Sequence, residues 1–327
     1  MLRAMTAPAG TPFRLGRSPL FDVLASSRRV LMAGAGGGFD VFGAVPLKVA
    51  LEAGGTHVEL ANLSFTDLGL TEAERIHEAC WRVEADSLGP AYFPERTLAR
   101  WMASRGAPGA VYAFPRTGVV QTQGAYQQLV AELEIDTVVL VDGGTDSLMR
   151  GTEDGLGTPV EDMTSIAAVN GLAGVTKLLC CLAFGVDAYH GVSHAHVLES
   201  VAAASRAGGF LGVTSILPGM PEADAYLDAV EFANRDMPAR PSIVANSVAS
   251  AIEGHYGDHH RTARTGGSEL WINPLMSIYW SFRLDVIAAQ SAYLAQLHET
   301  RSVEETAAII RSHRAHANPA PWRPIPV

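Results

Sequence analysis

The feature that most constrains this chain is a succession of short, nearly continuous apolar runs: Arg29 to Ala33, His57 to Ala61, Ala110 to Phe114, Thr137 to Val141, Lys177 to Phe184, Phe210 to Ile216 and Ser242 to Ala245. A strand covered on one face alternates apolar and polar residues, whereas a strand covered on both faces does not. Such runs, separated by helically spaced segments, predict an α/β fold: doubly wound, Rossmann-like, with a mostly parallel sheet. Thr71 to Cys80, with its acidic first turn, and Gln121 to Leu133, with its polar face, are expected to be helices. Thr158, Pro159 and Glu161 read as N-cap, first helical residue and capping-box acid of a helix to about Asn170. After Trp271 the pattern predicts helices only, Leu284 to Leu297 and Val303 to Arg314, which gives a helical C-terminal part.

Nothing in the chain divides it into two domains. Residues 1–20 read as a loose N-terminal extension, 21–314 as a single α/β domain, and 315–327 as a Pro-rich extended tail suited to packing on a neighbouring subunit. With 48% hydrophobic and 18% charged residues among 327, the chain must fold compactly, and its size needs no disulfide or metal staple. Its 24 basic residues are scattered and outnumbered by 34 acids, so nucleic acid is not an expected partner. No apolar run approaches the roughly 20 residues of a membrane span. Three cysteines, two of them adjacent inside an apolar run, form no disulfide framework, and the expected compartment is the cytoplasm. The apolar bias and Trp322 in the tail favour a homo-oligomer.

Glycine is the unusual component, with 32 residues bunched where predicted strands end. In open α/β sheets ligands lie beyond the carboxyl ends of the strands. Gly36, Gly37 and Gly38 follow the first strand and suit a cradle for an anionic or carbonyl group, because backbone without Cβ exposes its N–H groups. The loop is not a dinucleotide fingerprint, since Phe39 stands where the third glycine is needed and the second strand does not end in an acid. It is not a P-loop either, and Pro46 implies that it runs on to about Ala44. Asp40 therefore lies in the loop, where it suits a hydroxyl, a cationic group or a metal.

The fourth strand delivers Asp142, Gly143, Gly144, Thr145, Asp146 and, further on, Arg150. Asp142 and Asp146 can share a crevice as acid–base carboxylates, or serve as turn former and helix cap. Arg150 would clamp an acidic ligand, or pair with Glu153 or Asp154. Thr152 to Thr158 reads as a mobile flap. The fifth strand leads to Asp187 and His190, which are expected to act together in acid–base chemistry, with His194 and His196 close behind; a metal site here matches no known zinc spacing.

Four strings, GAGGGFDVFGAVPL (Gly34 to Leu47), AYFPERTLARW (Ala91 to Trp101), VDGGTDSLMRGTEDGLGTPVEDM (Val141 to Met163) and SAIEGHYGDHHRTARTGGSELWINPLMSIYW (Ser250 to Trp280), occur in this order. They resemble the signature blocks of an archaeal and bacterial family, domain of unknown function 1152. The resemblance spans about Leu20 to Arg314 and implies a single α/β domain, but it brings no activity.

The expected function is a hydrolase or lyase of a small polar or anionic metabolite, nucleotide-like or amino-acid-derived. Catalysis would rest on Asp142, Asp146, Asp187 and His190; binding would rest on Gly36, Gly37, Gly38, Asp40, Gly143, Gly144, Thr145 and Arg150. No cofactor is firmly implied. Alternatives are a degenerate Rossmann site for NAD(P) in an oxidoreductase, a divalent-metal hydrolase built on Asp142, Asp146, Asp187 and His190, and a metabolite-binding protein without catalysis.

Overall fold

The computed structural model describes residues 13–325. Its centre is a nine-stranded sheet. In chain order the strands are β1 (Arg29–Gly34), β2 (His57–Leu63), β3 (Glu74–His77), β4 (Cys80–Val83), β5 (Val111–Phe114), β6 (Thr137–Asp142), β7 (Thr176–Cys181) and β8 (Phe210–Ser215). A two-residue ribbon, β9 (Gly257–Asp258) with β10 (Trp271–Ile272), stands apart, and β11 (Ile278–Arg283) rejoins the main sheet. The order across the sheet is β3-β4-β5-β2-β1-β6-β7-β11-β8, and the five strands from β5 to β7 are parallel.

Helices cover both faces. One layer contains α1 (Pro19–Leu24), α2 (Val45–Ala53), α3 (Pro94–Ser104), α7 (Pro221–Asp236) and α8 (Ile243–Ile252); the other contains α4 (Val119–Glu132), α5 (Pro159–Asn170), α6 (His194–Arg206), α9 (Leu284–Ala288), α10 (Leu294–Leu297) and α11 (Val303–His316). Successive strand residues point to opposite faces, so Val30, Met32, Val139, Val141 and Cys180 enter one core while Leu31, Val138, Leu140, Leu179 and Cys181 enter the other. Both faces are apolar, hence the unbroken apolar runs of the parallel strands, and the adjacent cysteines are core residues.

Three expectations are corrected. Thr71 to Cys80 is not a helix: Glu74–His77 and Cys80–Val83 form an antiparallel hairpin added to β5, where Arg75 lies 5.0 Å over the Trp81 ring. Ser242 to Ala245 does not form a strand but opens α8, with the Ser242 hydroxyl accepting from the Ala245 N–H at 3.0 Å. The region after Trp271 is not all helix, because Ile278–Arg283 inserts antiparallel between β7 and β8. Leu20 belongs to α1 and is fully buried, while residues 1–12 of the expected extension lie outside the described residues. The tail packs on its own chain: the Ala320 N–H donates to the Thr152 carbonyl at 2.7 Å and the Ser193 hydroxyl donates to the Arg323 carbonyl at 2.6 Å. No helix among the described residues is long and apolar enough to cross a membrane.

Candidate active site

The strand order reverses beside β1: β2 and β5 extend the sheet to one side, β6 and β7 to the other. The loops after β1 and β6 therefore open onto one crevice. After β1, Gly37 and Gly38 take φ values of 98° and 63°, left-handed backbone that favours glycine. A Cβ at Gly37 would stand 2.7 Å from the Phe65 ring, and one at Gly38 3.0 Å from the Tyr92 hydroxyl. This turn sends Asp40 back over the loop, where its Oδ2 accepts from the Gly36 N–H at 2.7 Å. The expected anion cradle is corrected there, since the chain's own carboxylate takes the Gly36 donor. The loop ends in a 3₁₀ turn, Asp40–Ala44, and Pro46 falls in the first turn of α2 as its fixed φ requires.

After β6, Asp142 is 2% exposed and accepts from the Ser147 hydroxyl. Asp146 Oδ2 accepts from both the Thr158 N–H, at 2.7 Å, and the Thr158 hydroxyl, at 2.9 Å. Thr158 thus serves Asp146 rather than capping α5, and its supposed capping-box partner Glu161 instead pairs with Arg116 at 2.5 Å. Asp187, on the turn after β7, accepts from the Thr145 N–H at 2.7 Å. From the first turn of α5 comes Asp162, 1% exposed, with one oxygen lying 2.6 Å from where a Gly36 Cβ would be.

Five aspartates therefore converge, and the glycine clusters acquire a reason. A carboxylate occupies the side-chain space of four rim glycines: Asp162 and Asp40 over Gly36, Asp40 over Gly143, Asp187 over Gly144 and Asp146 over Gly157. Burial raises the pKa of all five. Asp40 is pushed up to about 7. Asp142, Asp162 and Asp187 rise well above the carboxylate range, through burial first and then through the neighbouring negative charges. Asp146 rises less, because the Thr158 hydrogen bonds favour its ionised form. Among the described residues no lysine or arginine is ion-paired with any of them.

Other expected members are elsewhere. His190 is exposed, forms no hydrogen bond with Asp187, and packs edge-on against Tyr189. Asp187 accepts from the Thr145 N–H instead. Arg150 is no ligand clamp, because Glu153 and Glu199 hold it at 3.0 and 3.3 Å. His194 stacks on Phe184 and His196 is buried, so neither joins Asp187 in a metal set. The expected flap is pinned by Arg314, whose guanidinium donates to the Glu153 and Asp154 carbonyls, and by close contact of Gly155 with Gly191.

Sequence reasoning missed Asp162, whose only signal is a second acid in the first turn of a helix. It also missed a buried pair beside the loop. Asn62, at the end of β2, donates to the Gly38 carbonyl at 2.8 Å and to Glu95 at 2.7 Å; Glu95 is fully buried, which raises its pKa to about 7.

The arrangement offers two kinds of carboxylate. Asp146 and Asp187 accept from backbone N–H groups of other loops, whereas Asp40, itself held by the Gly36 N–H, Asp142 and Asp162 bring an oxygen of each within 4.8 Å of the others. A search of curated proteins finds no match. The family model described as protein of unknown function (DUF1152) matches residues 31–317, which include all five aspartates, and the chain belongs to that family.

Proposed function

We propose that this protein is a cytoplasmic enzyme, a hydrolase or lyase acting on a small polar or anionic metabolite at the carboxylate crevice. The observation that carries the reading is the convergence of five aspartates at the point where the sheet's strand order reverses. A chain spends stability to bury such groups, and reaction sites are where buried, mutually repelling acids recur. Asp146 and Asp187 are the proton-transfer candidates, because fixed N–H donors set the direction in which each presents its free oxygen. One takes a proton from water or from the substrate while the other returns one to the leaving group. Gly36 and Asp40, both partly exposed, form the entrance.

The dinucleotide alternative is disfavoured by the Gly36 N–H, which is engaged by Asp40, and by Asn62, which stands near the end of β2 and is engaged by Glu95. Simple metabolite binding does not call for five acids. The exposed pair Tyr256 and Trp271, with ring centroids 5.5 Å apart, offers an apolar surface for a second copy in a homo-oligomer.

The test is a screen of polar metabolites by mass spectrometry with wild type and Asp146→Asn. One compound should be consumed, and the variant should be slower by about 10²-fold or more. Equal turnover by both proteins, or no compound consumed, would overturn the reading.

A further inference from the structure

Asp40, Asp142 and Asp162 carry a more specific conclusion, which rests on the proposal above that this crevice is the working site. Cations of the Mg²⁺, Mn²⁺ and Ca²⁺ class hold oxygens at about 2.0–2.6 Å, so oxygens sharing one ion lie up to roughly 5 Å apart. The three aspartates meet that condition, with one oxygen from each inside a 4.8 Å span.

The second observation is the state of Asp162. It is 1% exposed, and among the described residues no donor reaches either of its oxygens. Buried carboxylates are ordinarily satisfied by several hydrogen bonds or by a cation. Its two companions accept hydrogen bonds, Asp40 from the Gly36 N–H and Asp142 from the Ser147 hydroxyl, and each still brings an oxygen within 4.8 Å of one on Asp162. The approach depends on glycine: a Cβ at Gly36 would fall 2.6 Å from Asp162 Oδ1 and 3.0 Å from Asp40 Oδ2, and one at Gly143 would collide with Asp40. The donors are all hard carboxylate oxygens, with no sulfur and no imidazole among them, which selects against zinc and copper.

We infer that Asp40, Asp142 and Asp162 form a binding site for one divalent hard cation, Mg²⁺ or Mn²⁺. Asp142 and Asp162 lie on the buried side, and the partly exposed Asp40 leaves the outer side of the ion open to water or a substrate oxygen. An ion there would polarise that oxygen, while Asp146 and Asp187 stay outside the ligand set and keep their orientation for proton transfer.

Metal-depleted full-length protein is titrated with Mn²⁺ and followed by electron paramagnetic resonance, with Mg²⁺ as competitor. Wild type should bind one Mn²⁺ per chain, and Asp162→Asn should bind at least about 10-fold more weakly. Asp146→Asn should bind like wild type. Far-ultraviolet circular dichroism and thermal melts of Asp162→Asn without metal should match or exceed those of wild type, which separates lost ligation from lost folding. No saturable Mn²⁺ binding by wild type, or equal binding by Asp162→Asn, would overturn the site. Mn²⁺ binding with no metabolite consumed would leave the site standing and remove the proposed enzyme. Turnover that survives chelator, with no Mn²⁺ bound, would remove the site and leave the enzyme.

Discussion

The two ends of the parallel strands treat their charged residues in opposite ways. At the amino end, Lys177 donates to the carbonyls of Asn170 and Leu172 at 2.7 and 3.1 Å, Arg29 donates to the Leu133 carbonyl at 2.5 Å, and Asp136 accepts from the backbone of Arg28 and Arg29. Each charge there finishes a helix or starts a strand. At the carboxyl end five aspartates converge, four of them packed over glycines, and among the described residues no basic side chain is paired to them. Open space does not follow this charge, since a cleft of about 230 Å³ lined by Val23, Lys177, Arg283 and Asp285 lies at the amino end. One end thus uses its charges to finish helices and strands, and the other buries mutually repelling acids at a cost in stability.

The largest effect that sharpens this contrast is expected from paired glycine substitutions. Gly157 has φ 65° and Asp146 packed into its side-chain space, whereas Gly174, ahead of β7, has φ 76° with nothing within 4 Å. Gly157→Ala should cost about 3–5 kcal/mol, strain plus collision, against about 1–2 kcal/mol for Gly174→Ala, both measured by chemical denaturation. Equal losses would mean that the rim glycines are ordinary turn residues.

Glu95 gives the next effect. Its folded-state pKa, raised by burial to about 7 from 4.5, means that its contribution to stability is complete below pH 4.5 and is lost as the pH rises through 7. Glu95→Gln cannot ionise, so its stability relative to wild type should improve by about 2.5 kcal/mol between about pH 5 and pH 8 in urea titrations. Parallel pH profiles for the two proteins would show that Glu95 is not held protonated. The smallest effect belongs to the amino end: Lys177→Met should cost about 1–2 kcal/mol, because two carbonyls at the end of α5 lose a charged donor. That loss should be the same across the same pH range, and a pH-dependent loss would erase the distinction between the two ends.

The parallel core was legible because strands buried on both faces carry nearly continuous apolar runs, as the inner stretches of β1, β2, β5, β6 and β7 do. Asp40, Asp142, Asp146 and Asp187 were legible because each lies just beyond, or at the end of, such a strand. The errors arose where local pattern underdetermines structure. Ser242 to Ala245 is too short to separate a strand from the first turn of a serine-capped helix. Glu74–His77 and Cys80–Val83 are fixed by pairing to β5, a long-range contact that propensity does not contain. The roles of Asp162 and Thr158 depend on a helix docking against loops far away in sequence, so their neighbours along the chain say nothing of them. Arg150 and His190 were placed by proximity in sequence to Asp146 and Asp187, yet Arg150 is drawn to Glu153 and Glu199 and His190 points to solvent.

The pairing of Ala320 with Thr152 and Asp154 fastens the last stretch of chain across residues 152–158, the segment that hands Thr158 to Asp146. Together with the Arg314 hydrogen bonds to Glu153 and Asp154, this pairing ties the setting of Thr158 against Asp146 to contacts made by residues far from the crevice in sequence, so that loss of the tail is felt at the carboxylate rim.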